Sequence, residues 1–135
     1  MSVIQWDNDL CIGHELIDTQ HKRLFELTAK LYGIAVGSED KANVKLLLLD
    51  LYKYTLFHFD EEEVLMRINN FLYYDDHRRE HEKFVSTLDA LALKAREDAS
   101  VLDIEILNWL SSWLVTHISI KDKMLGQCLF RDAQK

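Results

Sequence analysis

Apolar residues recur along the chain in steps of three and four, the period of an amphipathic α-helix, in four successive stretches. The first runs through Ile17, His21, Leu24, Thr28, Leu31 and Ala35, and the second through Val44, Leu47, Leu51, Tyr54, His58, Glu62 and Leu65. The third carries His77, His81, Phe84, Leu88, Leu91 and Ala95, and the fourth Ile106, Leu110, Trp113, His117 and Ile120. Turn signals separate them. Gly37-Ser38-Glu39-Asp40 closes the first stretch and caps the second, Asn69-Asn70 falls in the next connection, and Ser100 with Asp103 resembles a capping box before the fourth. The pattern predicts helices over about residues 18–37, 41–67, 76–97 and 101–122, with Asp18 and Asp75 or Asp76 as N-caps. Residues 1–17 alternate loosely and predict an extended arm laid over the helices, while Gly126 predicts a loosened tail over residues 123–135. Short connections between helices of this length make neighbours antiparallel. The expected fold is therefore all-α, an up-down-up-down four-helix bundle in a single domain spanning residues 1–135.

Composition agrees with long uninterrupted helices, since Pro is absent and Gly numbers only 4. A chain of 135 residues is one domain's worth and buries a core without needing disulfides. The net charge of -7 and the lack of any Lys/Arg cluster exclude a nucleic-acid backbone or an anionic membrane as the main partner. The longest apolar run, Leu46 to Leu49, is too short to span a bilayer or to form a signal core, so no membrane insertion is expected and a cytoplasmic location is. Cys11 and Cys128 stand near opposite ends without metal-binding spacing, which predicts free thiols and leaves a bridge between the ends as the alternative. No exposed apolar stripe is legible, and a monomer is expected.

What sets the chain apart is where its histidines fall. His58 and Glu62, and again His77 and His81, are four residues apart, which places each pair on one helix face about a turn apart. All four apolar stripes carry at least one histidine, His21, His58, His77, His81 and His117, and one adds a carboxylate. A lone inward histidine is usually a hydrogen-bonded core residue. Five of them with a glutamate would cost several kcal/mol if left uncompensated, because each unpaired buried polar group costs roughly 1–3 kcal/mol. Metal coordination is the compensation that fits. Asp122 is less clear: five residues after His117, at about 100° per residue, it points well away on an ideal helix. That spacing by itself reads as a solvated or helix-end acid; a ligand role requires the helix to widen locally into a π-type turn or to be offset at its end.

These residues resemble the hemerythrin signature in its bacterial single-domain form. The resemblance rests on His21 within Ile17-Asp18-Thr19-Gln20-His21, on His58-Phe59-Asp60-Glu61-Glu62-Glu63, on the His77 and His81 pair, and on His117-Ile118-Ser119-Ile120-Lys121-Asp122. It extends from the arm with Trp6 to Asp122, and it implies that Asp122 is a ligand that bridges two non-heme irons together with Glu62. It further implies that His77, His81 and His117 complete one iron while His21 and His58 hold the other. With a bridging oxo or hydroxo group, these ligands leave one position of two six-coordinate irons open. The resemblance implies that O2 binds there reversibly, with nitric oxide or other small anions as further ligands. The positions matching the family's ligand pocket are Leu24, Phe59, Trp113 and Leu114, all apolar.

Storage, delivery to an oxygen-consuming enzyme, or sensing through a signalling partner are all compatible with such a site, and no catalytic residue is assigned. The competing readings are a diiron enzyme acting on O2, peroxide or nitric oxide, an iron-cluster repair protein, and a structural zinc bundle. A ferritin-like oxidase would want Glu-x-x-His motifs, which this chain lacks. His14, in the arm, is expected to be structural or exposed, and Glu61 and Glu63 to face solvent or neighbouring helices.

Overall fold

The computed structural model describes residues 5–37, 44–97 and 104–133. After a short 3-10 turn (Asn8–Leu10) come α1 (Glu15–Ala35), α2 (Val44–Ile68), α3 (Tyr74–Glu97) and α4 (Ile104–His117). A five-residue π-helical turn (Ile118–Asp122) then leads straight into α5 (Lys123–Ala133). Helix α1 packs against α2 and α4, and α3 closes the ring between them. The result is the antiparallel four-helix bundle the periodicity predicts. Leu24, Leu31, Leu51, Phe84, Leu88, Leu91, Leu107 and Leu110 fill its interior and are fully buried. Each contributes about 1.5–3 kcal/mol by leaving water. No described helix is long and apolar enough to cross a membrane.

Several boundaries differ from expectation, each for a local reason. Helix α1 begins at Glu15 rather than after Asp18, because His14 supplies the N-cap: its Nδ1 accepts the Ile17 backbone N–H at 3.3 Å. Asp18 instead accepts the Ile12 N–H at 2.8 Å, tying the arm to the first turn of the helix. Asp75 and Asp76 do not cap α3 but sit inside its first turn, where the helix dipole favours negative charge. In α2 Val44, Leu51, His58 and Glu62 are buried as expected, but Leu48, Thr55 and Met66 are buried where Leu47, Tyr54 and Leu65 were expected, and these three are only half-buried. In α4 Leu107 and Leu114 turn inward, and in the π turn that follows Ile118 is buried while Ile120 is exposed. The turn signals at Ser38 to Asp40 and at Ser100 to Asp103 lie outside the described residues.

The α2 to α3 connection shows why no proline is needed there. Asn70 takes the left-handed conformation at φ 51°, the Phe71 N–H reaches back to the Met66 carbonyl (2.9 Å) and the Asn70 N–H to the Arg67 carbonyl (3.2 Å). That is a Schellman stop with asparagine in place of glycine, and its apolar clasp is Phe71 against Met66.

The chain ends also depart from the sequence reading. The arm is held by Leu10, which is buried in the core, and by Trp6, whose ring meets Phe25 edge-on at 5.4 Å. The expected tail is α5, a helix through Gly126 rather than a loosened segment. Gly126 is needed there for space: a Cβ at this position would overlap the Ile12 carbonyl oxygen. Leu125 and Cys128 on α5 pack with Met66 and Phe71, and no disulfide joins Cys11 to Cys128. The outer face of α2 does carry exposed apolar residues, Leu46, Leu49, Leu56 and Phe57, which the sequence reading did not see as a stripe.

Gly126→Ala is therefore expected to destabilise the fold by about 1–3 kcal/mol through overpacking of arm against helix. Urea unfolding measures it, and a stability equal to the parent would show that the arm does not need this close approach.

Candidate metal centre

Alternating helix directions bring one particular set of side chains together. His21 lies near the start of α1, His58 and Glu62 toward the end of α2, His77 and His81 near the start of α3, and His117 at the end of α4. Start, end, start and end coincide only in an up-down-up-down bundle, so all these residues meet at one end of it. Asp122 joins them because the π turn Ile118–Asp122 widens the helix just after His117. This is the local distortion that a ligand role required, and Asp122 is 1% exposed.

Every histidine presents Nε2 inward. His58 Nε2 lies 2.8 Å from Glu62 Oε2, and His21 Nε2 lies 3.1 Å from the same oxygen and 3.0 Å from Asp122 Oδ2. On the other side, His77 and His81 Nε2 are each 3.1 Å from Glu62 Oε1. His77 and His117 Nε2 lie 2.9 and 3.2 Å from Asp122 Oδ1. Each carboxylate thus turns one oxygen to the pair His21 and His58 or to His21 alone, and the other oxygen to the histidines of α3 and α4. Glu62, His77, His81, His117 and Asp122 offer ligand atoms all within 4.8 Å of one another, as do His21, His58 and Glu62.

Hydrogen bonding alone does not satisfy this cluster. His77 Nε2 and His117 Nε2 stand 3.1 Å apart, where only one can carry a proton between them. His81 Nε2 and Asp122 Oδ1 are buried and find no hydrogen-bond partner, since their close neighbours are not in line for one. Lone pairs that converge on a point rather than on one another are what a cation-binding site presents, and leaving them unpaired in the interior is costly. Nitrogen-rich ligation with two carboxylates suits iron, zinc or copper, so the donor set admits iron without choosing it.

Without a metal, protons take part of the cation's place. Burial disfavours a charged His21, but the facing Asp122 and Glu62 carboxylates outweigh it and raise its pKa to about 9. The same opposition raises His77 to about 10 and His117 upward as well. Burial dominates at His58 and lowers it. Glu62 is buried, which favours its neutral form, yet His58, His21 and His77 hold it well below the usual carboxylate range. Asp122, opposed by burial and by Glu62, is drawn down in the same way by His117 and His21.

The outer nitrogens are anchored by residues whose role the sequence did not disclose. His58 Nδ1–H donates to Gln20 Oε1 (2.7 Å), His81 Nδ1–H to Glu63 Oε2 (3.0 Å) and His117 Nδ1–H to Glu80 Oε1 (3.2 Å). These contacts fix the tautomer that leaves Nε2 free. Gln20, Glu63 and Glu80 each sit next to a cluster residue in sequence, at the edge of a buried stripe, and that adjacency was the available signal. The pocket positions are also placed: Leu24, Phe59 and Leu114 are buried and Trp113 is half-buried. The Phe59 ring stacks on His81 at 3.8 Å and the Trp113 ring on His117 at 4.2 Å.

Fold and site together define a metal-binding four-helix bundle with a histidine-rich, carboxylate-bridged cluster at one end. The family model for the hemerythrin HHE cation binding domain matches residues 12–129. Bacteriohemerythrin of Stenotrophomonas maltophilia is 32% identical over 123 residues, covering 91% of this chain and 79% of that protein. Bacteriohemerythrin of Pseudomonas aeruginosa is 33% identical over 122 residues, covering 90% and 78% respectively. The crystal structure of a wild-type hemerythrin superposes with a TM-score of 0.84 at 26% identity, covering 95% of this chain and 98% of its own. This chain belongs to the hemerythrin family.

Because ligating imidazoles must be neutral, metal uptake displaces the protons that His21 and His77 hold up to about pH 9 and 10. Zinc titration calorimetry near pH 7.5 should show heats that vary with the ionisation enthalpy of the buffer, and an affinity that climbs as pH rises; identical heats in all buffers would refute it. The metal-free fold has the opposite slope. The stability these raised imidazoles give it is complete below their ordinary pKa of 6.5 and is lost as pH passes through about 9 to 10.

Proposed function

We propose that His21, His58, Glu62, His77, His81, His117 and Asp122 hold two non-heme irons, and that the protein binds O2 reversibly at the iron with fewer histidines. The observation that carries this reading is the division of the carboxylate oxygens. Glu62 faces His58 and His21 with one oxygen and His77 and His81 with the other, and Asp122 faces His21 with one and His77 and His117 with the other. Carboxylates divided in this way would serve two metal positions, one beside three histidines and one beside two, and with a bridging oxo or hydroxo group one coordination position would remain open on the two-histidine side.

When bound, reduced iron supplies the electrons that O2 binding draws on and recovers them on release. The chain's own residues decide that the exchange stays reversible. Leu24, Phe59, Trp113 and Leu114 place no carboxyl, thiol or hydroxyl in the pocket, so they offer no general acid that would drive a bound ligand on to peroxide. Their burial limits the water that would hydrate and release charged oxygen species. The stacked rings of Phe59 and Trp113 also hold His81 and His117 in plane, so these two ligands have little freedom to rearrange during a cycle. The role is storage, delivery or reporting of oxygen rather than turnover. The same open position accepts nitric oxide or small anions.

Exposing the iron-loaded, reduced protein to air and then removing the oxygen tests this directly. A visible charge-transfer band that grows and then disappears over repeated cycles is the expected result. Irreversible oxidation with release of peroxide would instead show an enzyme. Leu114→Ala is expected to keep both irons but to speed autoxidation, roughly tenfold for a barrier lowered by about 1.4 kcal/mol, by admitting water. A rate equal to the parent's would remove the apolar pocket from the mechanism.

A further inference from the structure

The hydrogen bonds behind the cluster are not the same on its two sides. Among the three histidines of α3 and α4, two lean on carboxylates, His81 on Glu63 (3.0 Å) and His117 on Glu80 (3.2 Å). Glu63 and Glu80 are partly exposed, at 19% and 26%, so water reaches both. On the side of α1 and α2, His58 leans on the neutral amide of Gln20, and His21 Nδ1 is buried with no hydrogen-bond partner. Ring stacking follows the same division, since Phe59 and Trp113 lie flat on His81 and His117.

A carboxylate that accepts an imidazole's outer N–H polarises the ring and makes the inner nitrogen a stronger donor to a metal. An amide does so less, and a missing partner not at all. On the three-histidine side two rings are thus oriented by carboxylates and by stacking, while on the two-histidine side only His58 is oriented, by a neutral amide. The extra imidazole would favour the same side by number alone, so the outer carboxylates need a test of their own.

We infer that Glu63 and Glu80 are positioning residues that make the His77, His81 and His117 position the tighter of two metal positions, so that it fills first and keeps its ion while the other exchanges. This rests on the two-metal reading above. It gives the cluster a fixed anchor ion and a more labile partner at the position where the small ligand binds.

Anaerobic titration of the metal-free protein with Co2+, followed by its visible absorption and by calorimetry, reads the two positions separately. Two steps are expected, and His58→Ala should abolish the weaker one while keeping the tighter, which assigns them. Glu63→Gln and Glu80→Gln should each weaken the tighter step by about 10- to 100-fold and change the weaker one far less. Gln20→Glu should do the reverse and strengthen the weaker step, a gain that a misfolded variant does not produce. Equal weakening of both steps by Glu63→Gln and Glu80→Gln, or no effect on either, overturns the role of these residues while leaving two metals in place. Uptake of a single cobalt ion overturns the two-metal reading, and this ordering falls with it.

Discussion

Two carboxylates and five imidazoles are enclosed at one end of an apolar bundle, and the need to neutralise them shapes everything around them. Glu62 and Asp122 are each at most 1% exposed, too deep for water to compensate their charge. Hydrogen bonds compensate part of it, and protons on His21, His77 and His117 more, but His81 Nε2 and Asp122 Oδ1 remain without partners. A cation placed among the converging lone pairs resolves what protons cannot, because it is approached from several directions at once.

The bundle's architecture serves that requirement through helix direction and helix defect. Antiparallel neighbours superimpose the starts of α1 and α3 on the ends of α2 and α4, collecting the histidines and Glu62 from four helices that are far apart in sequence. The π turn at Ile118–Asp122 brings Asp122 into the cluster, a position that regular helix geometry denies it. Continuation of the chain as α5 gives this end of the bundle a cover, with Leu125 buried beside Met66 and Phe71 and with Ile12 of the arm pressed against Gly126. The distorted turn is therefore held between two regular helices rather than left at a free end.

Around the cluster, apolar and charged neighbours divide the work. Phe59 and Trp113 stack on the His81 and His117 rings at the edge of the cluster, while Gln20, Glu63 and Glu80 set which nitrogen of His58, His81 and His117 faces inward. Membership of the hemerythrin family places this arrangement among non-heme iron proteins. Within this site the outer carboxylates stand on one side, behind His81 and His117, and a neutral amide stands behind His58.

The sequence by itself determined the helical class, the four stripes and the inward histidines, because a period of 3.6 residues and the choice of buried side chain are local properties written residue by residue. The third helix is the clearest case, with all of His77, His81, Phe84, Leu88, Leu91 and Ala95 buried as their spacing requires. Asp122 was legible only through resemblance to a family, since its five-residue offset from His117 contradicts an ideal helix and the π turn is decided by packing. The helical end of the chain was not legible either, because Gly126 signals a break locally while its actual reason is the Ile12 backbone, more than a hundred residues away in sequence. Likewise Glu63 and Glu80 look like ordinary surface acids until α2, α3 and α4 pack and bring His81 and His117 within hydrogen-bond reach. Which carboxylate oxygen faces which histidine, and which histidine has an anion behind it, depend on side chains from separate helices meeting in space, and only the tertiary structure decides that.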